Sequence, residues 1–582
     1  MSSANRGRRG GPVGRRVATI ERRGRFLVAE PLFERGPQVE LDRRTRVGAG
    51  EMALVEFGPG RARAIRELGS PGRARDVVEA LLWDRTGGRG FGDSVERAAA
   101  QAAERALAEP GARRDLTEMA TFTVDPATAR DFDDAVSARR EGDGVRLWIH
   151  IADVAAHVGP GDELDREANR RANSTYVPGT VEPMLPKALS ADACSLAPGV
   201  ERLAVTTEVE LGAGGKVRSS SFYRSRIRSD ARLDYEQLDA IFAARAKAPE
   251  PVAEPLAVAR EVAAALGERR GATSLDVESF EPEFRFDSAG NVTGARSVPQ
   301  TESHRLIERL MILTNEQVAQ LLERKRVPAI YRVHAQPDPP RVERLVAQLH
   351  ALGVPTPPLR EGLSPRQAGE VAAEASRLVT REAVRRGHGR EAYTSLVLRS
   401  LKQASYSERN SGHAGLGSPA YAHFTSPIRR YPDLVVHRAL LAALGEGEEA
   451  PRAAEAREVA AHSSERERES ARIERDADDV CAAFLLEREL RERGGEVQFE
   501  GEVSGTIRAG AFVAFGGELG DVYEGFVPAR RMRGEYFELD ETETALVGRR
   551  TGARVRLGDP IAVRVSAVDA PKGRVDLEPA GG

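Results

Sequence analysis

Cysteine is nearly absent from this sequence, since only Cys194 and Cys481 occur among its 582 residues. Two cysteines so far apart lack the spacing of a zinc ribbon and cannot build a disulfide framework. No apolar run approaches the roughly 20 residues that a membrane-spanning helix needs. The basic residues at the N-terminus are not followed by an apolar segment, so no secretory signal is visible. The sequence therefore predicts a cytoplasmic protein with no membrane partner.

Neither sign of charge predominates, because the net charge of the chain is only −3. The whole molecule is therefore not a polycation. Its N-terminal head differs from the rest, and residues 1–14 are predicted to be a disordered basic tail. Such a tail suits contact with nucleic acid and suits simple solubilisation equally well. Basic residues continue past this tail, and the first 25 residues carry Arg6, Arg8, Arg9, Arg15, Arg16, Arg22, Arg23 and Arg25.

The chain is too long for one hydrophobic core, and its patterns divide it into several domains. Short strands separated by Gly and Pro predict a small β-barrel over residues 15–70, followed by a helical connector over residues 71–114. Residues 115–495 open with strands, continue with mostly helical patterns and end in a charged helix near 453–493. Residues 496–582 return to short strands and predict a second barrel. The predicted fold class is α+β, with a mixed α/β central domain between two OB-fold barrels.

Aromatic residues make up only 5% of the chain, yet several gather in the last barrel. Phe512, Phe515 and Phe526 alternate with polar positions, as stacking platforms on an OB-type sheet would. We predict that they bind single-stranded nucleic acid. The alternative is that about half of the aromatic residues in this barrel simply fill its interior.

Acidic side chains are concentrated at residues 125–134, which read DPATARDFDD. Asp125, Asp131, Asp133 and Asp134 would repel each other, and burial would raise that cost. Oxygen ligands at this density suit Mg²⁺ or Mn²⁺ better than zinc. A solvated acidic turn is the alternative, but the apolar flanks of the segment argue against it. A calcium-binding EF-hand loop does not fit, because the required glycine is missing.

A second segment, residues 424–433, supplies cations that the acidic segment could use. Two carboxylate-bound metals suit phosphoryl transfer, and such a site also needs a guanidinium for the charge that develops in the transition state. Ser426 and Pro427 suggest a helix cap followed by a first-turn proline, which would hold Arg429 and Arg430 on a stiff segment. An ordinary surface arginine pair near a helix start is the alternative.

Residues 125–134 and 424–433 together resemble the catalytic signature of the ribonuclease II/ribonuclease R (RNB) family of 3′→5′ exoribonucleases. The similarity covers roughly residues 115–480. The resemblance implies an RNB-type catalytic domain, a cold-shock-like first barrel and an S1-like last barrel that binds RNA. Further similar blocks follow in the order of the family, namely YVPGTVEPMLP from Tyr176, CSL from Cys194, HRLIE from His304, MILTN from Met311 and YRVH from Tyr331.

The same resemblance implies roles for the acidic and basic side chains. Asp125, Asp131 and Asp134 would ligate the metal ions. Asp133 would hold the second ion or the 3′-terminal nucleotide and so would be catalytic. Arg429 would stabilise the transition state.

RNA contacts are implied for four more residues. Tyr176 would stack near the 3′ end and help to set the smallest product, unless it is only a packed aromatic residue. Phe280 is the candidate for a second aromatic clamp. Arg430 and Tyr431 lie beside the catalytic arginine and are expected to position the RNA.

The sequence thus predicts a processive, hydrolytic 3′→5′ exoribonuclease that uses Mg²⁺, with Mn²⁺ as an alternative ion, in a two-metal mechanism. Single-stranded RNA would be degraded to 5′-mononucleotides by a monomer, with RNA-decay machinery as a further partner. A catalytically inactive RNA-binding protein of the same fold and a DNA nuclease are the alternatives. Residues 1–114 leave room for one cold-shock-type barrel where the family usually has two, so weaker action on structured duplexes is expected.

Overall fold

The computed structural model describes residues 14–580 except 43, 45, 59–60, 109–110, 272–280, 495–496, 517–522 and 533. The basic tail predicted at residues 1–14, apart from Gly14, and the predicted clamp residue Phe280 lie outside the described residues. Among the described residues, no helix is both long enough and apolar enough to cross a membrane.

An N-terminal sheet of five strands has the order β3-β2-β1-β4-β5. A parallel bridge between Leu41, next to β3, and Ala62, at the start of β5, links its two edges. The sheet therefore curls around a small core of its own. Its strands are β1 (Gly14–Arg23), β2 (Phe26–Pro31), β3 (Val39–Glu40), β4 (Met52–Phe57) and β5 (Ala62–Gly69).

Two helices connect this sheet to the centre of the molecule, α1 (Ala74–Thr86) and α2 (Asp93–Ala108). Helix α1 ends at Gly87, whose left-handed conformation stops the helix at little steric cost. The apolar side of α1 faces the sheet, and the backbone N–H of Val17 donates to Asp84 on α1 at 2.7 Å. The connector is therefore fixed to the first barrel.

A seven-stranded sheet forms the centre, in the order β14-β7-β8-β9-β12-β13-β6. Neighbours β7, β8, β9, β12 and β13 are antiparallel, while β14 and β6 are parallel to their partners at the two edges. Six consecutive residues of β9 are buried, which requires cover on both faces of the sheet. The strands are β6 (Arg114–Asp115), β7 (Phe122–Asp125), β8 (Asp134–Glu141), β9 (Gly144–Ala152), β12 (Glu201–Gly212), β13 (Lys216–Arg228) and β14 (Ala231–Asp234).

In the described part of the central region, three small hairpins and nine helices accompany the central sheet. The hairpins are β10 (Thr175–Val177) with β11 (Thr180–Glu182), β15 (Glu281–Phe286) with β16 (Val292–Val298), and β17 (Tyr331–Val333) with β18 (Ser405–Ser407). The helices are α3 (Glu163–Arg171), α4 (Tyr235–Phe242), α5 (Ala253–Arg270), α6 (Glu302–Lys325), α7 (Pro339–Ala351), α8 (Pro365–Arg386), α9 (Arg390–Ser400), α10 (Tyr431–Leu444) and α11 (Ala453–Arg493).

Helix α11 is the charged helix that the sequence predicts, and its observed bounds agree with the predicted ones. Along its length it contacts β18, β10, α1 and the last barrel in that order. Because it packs against a different neighbour along each part of its length, it has no continuous apolar stripe. Helix α11 therefore ties the first barrel, the central domain and the last barrel together.

The last barrel is closed by five strands in the order β19-β20-β21-β26-β25. A three-stranded sheet of β22, β23 and β24 lies beside it. The core of this barrel is continuous with apolar residues of α1, α9 and α11, so it is not an isolated module. The strands are β19 (Gln498–Ile507), β20 (Gly510–Phe515), β21 (Tyr523–Pro528), β22 (Phe537–Leu539), β23 (Ala545–Gly548), β24 (Arg554–Arg556), β25 (Pro560–Asp569) and β26 (Arg574–Pro579). The α+β class and the flanking OB-type sheets are as the sequence predicts.

Candidate active site and RNA interface

The acidic segment lies at one end of the central sheet. Asp125 is the last residue of β7 and Asp134 is the first residue of β8, and these strands are antiparallel neighbours with Phe122 opposite Val136. The loop between them carries the other two aspartates. Two strand ends and one short loop therefore bring the four carboxyl groups into one region.

The side chain of a buried serine holds the backbone of this loop by hydrogen bonds. The Ser195 hydroxyl accepts a hydrogen bond from the N–H of Phe132 at 3.0 Å and donates one to the carbonyl of Arg130 at 2.8 Å. The N–H of Leu196 donates to the carbonyl of Phe132 at 2.9 Å. The CSL block thus fixes the backbone on both sides of Asp131.

Asp133 joins the two segments that the sequence singles out. Its side chain is 4% exposed. Oδ1 accepts a hydrogen bond from the N–H of Ile428 at 2.9 Å, and Oδ2 lies 3.4 Å from Nε of Arg429. The side chain of Arg429 is about half exposed, so part of its guanidinium remains accessible from outside.

The positive charge near these carboxyl groups is too small to balance their negative charges. Burial raises the pKa of Asp125 to about 8, and the charges of Asp134 and Asp133 add to that shift. Burial also raises the pKa of Asp134 to about 6 and that of Asp133 well above its ordinary value. The guanidinium of Arg429 opposes all three shifts without cancelling them. Oδ2 of Asp125 and Oδ2 of Asp133 are buried with no hydrogen-bond partner.

These unpartnered oxygens fit an open metal site. In the part of the chain that the structure describes, no three His, Cys, Asp or Glu side chains are grouped to hold an ion by themselves. Mg²⁺ commonly binds through one or two carboxylates and takes its other ligands from water and substrate phosphates. Asp125 and Asp133 offer oxygens for that kind of site, and further carboxylates lie nearby.

Tyr176 reaches the acidic segment from the hairpin of β10 and β11. Its hydroxyl donates to Oδ2 of Asp131 at 2.9 Å, and its backbone N–H donates to Glu474 of α11 at 2.9 Å. The residue is nevertheless 41% exposed. An aromatic face held beside the carboxylates and open to solvent is suited to stacking on a base.

Comparison with known proteins identifies the family of the chain. A family model described as "RNB domain" matches residues 113–446. Ribonuclease R of Aquifex aeolicus is 36% identical over 530 residues, which are 89% of this chain and 72% of that protein. The chain belongs to the RNB family of exoribonucleases.

Other members confirm the relationship and its extent. Ribonuclease R 1 of Lactococcus lactis is 33% identical over 478 residues, which are 80% of this chain but only 56% of that protein. The structure of Mycoplasma genitalium RNase R in complex with ribose methylated single-stranded RNA superposes with a TM-score of 0.86 at 23% identity. That match covers 97% of this chain and 90% of the other, and it shows that the two share a fold.

Tyr235 lies beside the acidic segment of this RNB chain, and the sequence did not single it out. It is the first residue of α4 and stacks on His304, with ring centroids 3.9 Å apart and planes at 14°. Burial raises the pKa of its hydroxyl, and the negative charges of Asp134 and Asp125 raise it further. The preceding strand β14 pairs with β7 so that Asp234 lies opposite Asp125. That parallel pairing, which no local pattern encodes, brings Tyr235 to the site.

Two residues predicted to touch RNA have structural roles instead. Tyr431 is 4% exposed and donates its hydroxyl to Oδ1 of Asp165 at 2.9 Å, so the predicted RNA contact is wrong. The guanidinium of Arg430 donates through two nitrogens to Asp433, at 2.9 and 2.7 Å. Both residues therefore support the segment that presents Arg429.

The predicted helix cap at Ser426 and Pro427 is also wrong. Helix α10 begins at Tyr431, with Pro432 in its first turn. The carbonyl of Ser426 accepts hydrogen bonds from the N–H groups of Arg429 and Arg430, at 3.3 and 3.0 Å. Arg429 therefore lies on a tight turn before the helix, which is stiff as predicted but for a different reason.

The aromatic residues of the last barrel divide between its interior and its surface. Phe515 is fully buried and contacts Phe499 and Tyr523, so its predicted stacking role is wrong and the alternative holds for it. Phe512 and Phe526 lie opposite each other on β20 and β21, with ring centroids 5.1 Å apart, and both are partly exposed. A cavity of about 510 Å³ beside Phe526 is lined by Arg508, Arg530, Arg531 and Tyr536 among others.

Proposed function

We propose that this RNB-family chain is a hydrolytic 3′→5′ exoribonuclease that degrades single-stranded RNA processively to 5′-mononucleotides. The observation that carries the proposal is the meeting of Asp133 with Arg429 beside a buried, unpartnered carboxylate oxygen of Asp125. Anionic ligands for a divalent ion and a guanidinium for a phosphate thereby occupy one site. Sites of phosphoryl transfer, to which phosphodiester cleavage belongs, combine both groups.

Asp125, Asp131, Asp133 and Asp134 are proposed to hold Mg²⁺, with Asp133 also acting on the 3′-terminal nucleotide. When bound, two such ions supply charge neutralisation and activation of the attacking water in phosphoryl transfer. The buried Oδ2 of Asp125, which has no hydrogen-bond donor, and the raised pKa of Asp125 support this assignment, because both describe a carboxylate that lacks a cation.

The chain's own residues then orient the reacting phosphodiester. The oxygen of water bonds to phosphorus while the bond from phosphorus to the 3′ oxygen breaks. That oxygen takes a proton and becomes the new 3′ hydroxyl of the RNA. Arg429 donates N–H groups to the phosphate oxygens, where negative charge increases in the transition state. Asp133 holds the guanidinium of Arg429 in place for that contact.

Tyr176 is proposed to stack on a base near the 3′ end. Its hydroxyl is bound to Asp131, so the ring lies at a fixed place beside the acidic segment. An RNA that has become too short to stack on this ring and also contact the other RNA-binding groups would dissociate. The distance between these contacts would thereby set the smallest product. Selection of ribose would come from contacts to the 2′ hydroxyl.

A catalytically inactive RNA-binding protein of the same fold and a DNA nuclease remain the rival functions. The intact acidic segment and the contact between Asp133 and Arg429 favour the enzyme over the inactive form. A single assay separates all three. We expect a 5′-labelled oligoribonucleotide to shorten from its 3′ end in Mg²⁺, with release of 5′-mononucleotides, and to stay intact in EDTA. RNA that is bound but uncut in Mg²⁺ would support the inactive protein, and equal cleavage of ribose and deoxyribose 3′ ends would support the DNA nuclease.

Phe512 and Phe526 are proposed to stack on RNA bases on the outside of the last barrel. Replacing Phe512 by Ala is expected to weaken RNA binding by about 1–3 kcal/mol, the usual contribution of one base stacked on an aromatic ring. Fluorescence anisotropy with an uncleaved RNA in EDTA measures this loss. Phe515→Leu is the control, because the Phe515 side chain, also on β20, is buried inside the barrel. This variant should change the melting temperature without changing the affinity for RNA. Equal affinity of Phe512→Ala and the wild type would exclude this surface.

A further inference from the structure

The hairpin that carries Tyr176 is too small to hold its own shape. Strands β10 and β11 have three residues each and pair only with each other. Isolated two-stranded hairpins are marginally stable in water. The position of the Tyr176 ring must therefore depend on the groups that pack against this hairpin.

Arg89 contacts every residue of strand β11. This residue lies outside the central domain, in the loop between α1 and α2 that belongs to the connector. Its guanidinium donates to the carboxylate of Glu182, to the hydroxyl of Thr180 at 3.3 Å and to the carbonyl of Val181 at 3.1 Å. Val181 is the cross-strand partner of Tyr176. Arg89 therefore holds the strand directly opposite the stacking residue.

Glu182, which pairs with Arg89, is buried and accepts hydrogen bonds at both of its carboxylate oxygens. The side chain of Glu182 is 7% exposed, and that of Arg89 is 15% exposed. Glu182 also accepts hydrogen bonds from Arg171 and, at 3.2 Å, from the N–H of Gly90. Arg171 in turn donates to the carbonyl of Gly90 and lies 3.9 Å above the ring of Phe91. The connector loop and the hairpin thus share one buried ion cluster.

Two other elements complete the support of the hairpin. On helix α11, Ser470 donates to the hydroxyl of Thr175 at 2.8 Å, beside the bond from Tyr176 to Glu474. At the hairpin turn, Gly179 has φ +79° and approaches Phe286 so closely that a Cβ there would lie 3.2 Å from the ring. Among the described residues, two arginines pair with Glu182 of β11, namely Arg89 of the connector and Arg171 of α3, and Arg89 also binds the other two residues of the strand.

We propose that Arg89, through its contacts with Glu182 and the backbone of β11, is a positioning residue that fixes Tyr176 and thereby sets the length of the final oligonucleotide. This inference rests on the proposed function, because it assumes that Tyr176 stacks on RNA near the 3′ end. The described contacts of Arg89 are with the hairpin and with Glu79 of α1, and none is with the carboxylates of residues 125–134. Its proposed action on Tyr176 therefore runs through the hairpin, with Glu79 anchoring the guanidinium to the connector.

The test compares limit products of a 5′-labelled single-stranded oligoribonucleotide digested to completion by the full-length chain. Tyr176→Ala is expected to lengthen the limit product. Arg89→Met keeps the aliphatic stem but removes every donor, and it is expected to replace the single limit product by a mixture extended by one or more nucleotides. Arg89→Lys can still pair with Glu182 but cannot hold the Val181 carbonyl with the same fork, so an intermediate pattern is expected.

Arg85→Met is the matched control. Arg85 lies in the last turn of α1 and pairs with Asp476 of α11 at 3.3 Å, so it joins the connector to the same helix without touching the hairpin. Its variant should give the wild-type limit product. A shift in Arg85→Met as large as that in Arg89→Met would mean that any loosening of the connector has the same effect, and it would overturn the assignment to Arg89.

A double variant separates positioning from simple loss of stability. If Arg89 acts through the ring of Tyr176, then Tyr176→Ala with Arg89→Met gives the same limit product as Tyr176→Ala alone. A further lengthening in the double variant would contradict the inference. Should Arg89→Met not fold, Arg89→Lys and Thr180→Ala, each of which keeps the ion pair with Glu182, carry the same comparison.

The outcomes also distinguish this inference from the proposed function. An unchanged limit product in Tyr176→Ala would remove Tyr176 from the proposed site, and the role of Arg89 would fall with it. A longer product in Tyr176→Ala together with an unchanged product in Arg89→Met and Arg89→Lys would overturn the inference about Arg89 alone. An RNA that the wild type does not shorten in Mg²⁺ would overturn the proposed function itself.

Discussion

Asp133→Asn is expected to lower the rate of RNA hydrolysis by on the order of 10³-fold or more, the scale seen when a residue of a catalytic set is removed. The amide keeps an oxygen that can accept the hydrogen bond from Ile428, so the local backbone should not move. The negative charge is lost, however, both for the metal ions and for Arg429. RNA affinity in EDTA should stay close to that of the wild type. Single-turnover cleavage and fluorescence anisotropy measure the two quantities separately.

The stability of this variant provides a second check. Burial raises the pKa of Asp133, which means that its ionised form destabilises the metal-free fold at neutral pH. Asp133→Asn should therefore melt at the same temperature as the wild type in EDTA or at a higher one. Asp143→Asn is the control, because that carboxylate lies in the turn between β8 and β9 and its side chain is 78% exposed. Cleavage by Asp133→Asn at the wild-type rate would refute the assignment.

Arg429→Met is expected to lower kcat by about 10²–10³-fold, as removal of one donor to a developing oxyanion does in other enzymes. KM should change much less, because the guanidinium contributes most where negative charge increases, in the transition state. Arg429→Lys should recover only part of the rate, since an ammonium lacks the planar fork with which a guanidinium donates to two oxygens of one phosphate. Steady-state kinetics on a short oligoribonucleotide measures both parameters.

A surface arginine provides the control for this variant. Arg228 pairs with the exposed Glu118 at 3.3 Å, away from the acidic segment, and Arg228→Met should keep the wild-type kcat. A rise in KM with an unchanged kcat in Arg429→Met would show that Arg429 only binds RNA. That result would leave the transition-state role without support.

The parts of the site that local sequence patterns encode were predicted. The four aspartates are neighbours in sequence and flank a single loop, so their proximity follows from the chain itself. The contact between Asp133 and Arg429 joins segments almost 300 positions apart, and it was expected only from the resemblance to the RNB family. The closed last barrel follows from strand alternation. The long charged helix α11 follows from 41 residues without glycine or proline, since it has no continuous apolar stripe.

Other parts depend on contacts that no local pattern contains. Tyr235 reaches the site because β14 pairs with β7, a parallel pairing between distant strands. Tyr431 was assigned to RNA from its place beside Arg429, but the start of α10 turns its ring into the core. Phe512 and Phe515 are three residues apart on β20, so alternation sends them to opposite faces of the strand, and only Phe512 can face outward.

The central claim is that divalent ions bound by residues 125–134 lie against the phosphodiester that is cut. The most direct test places one sulfur at a non-bridging oxygen of the 3′-terminal phosphodiester and compares cleavage in Mg²⁺ with cleavage in Mn²⁺. Because Mn²⁺ accepts sulfur ligands more readily than Mg²⁺, we expect one diastereomer to be cut slowly in Mg²⁺ and to recover in Mn²⁺. An equal loss of rate in both ions, for both diastereomers, would contradict the account.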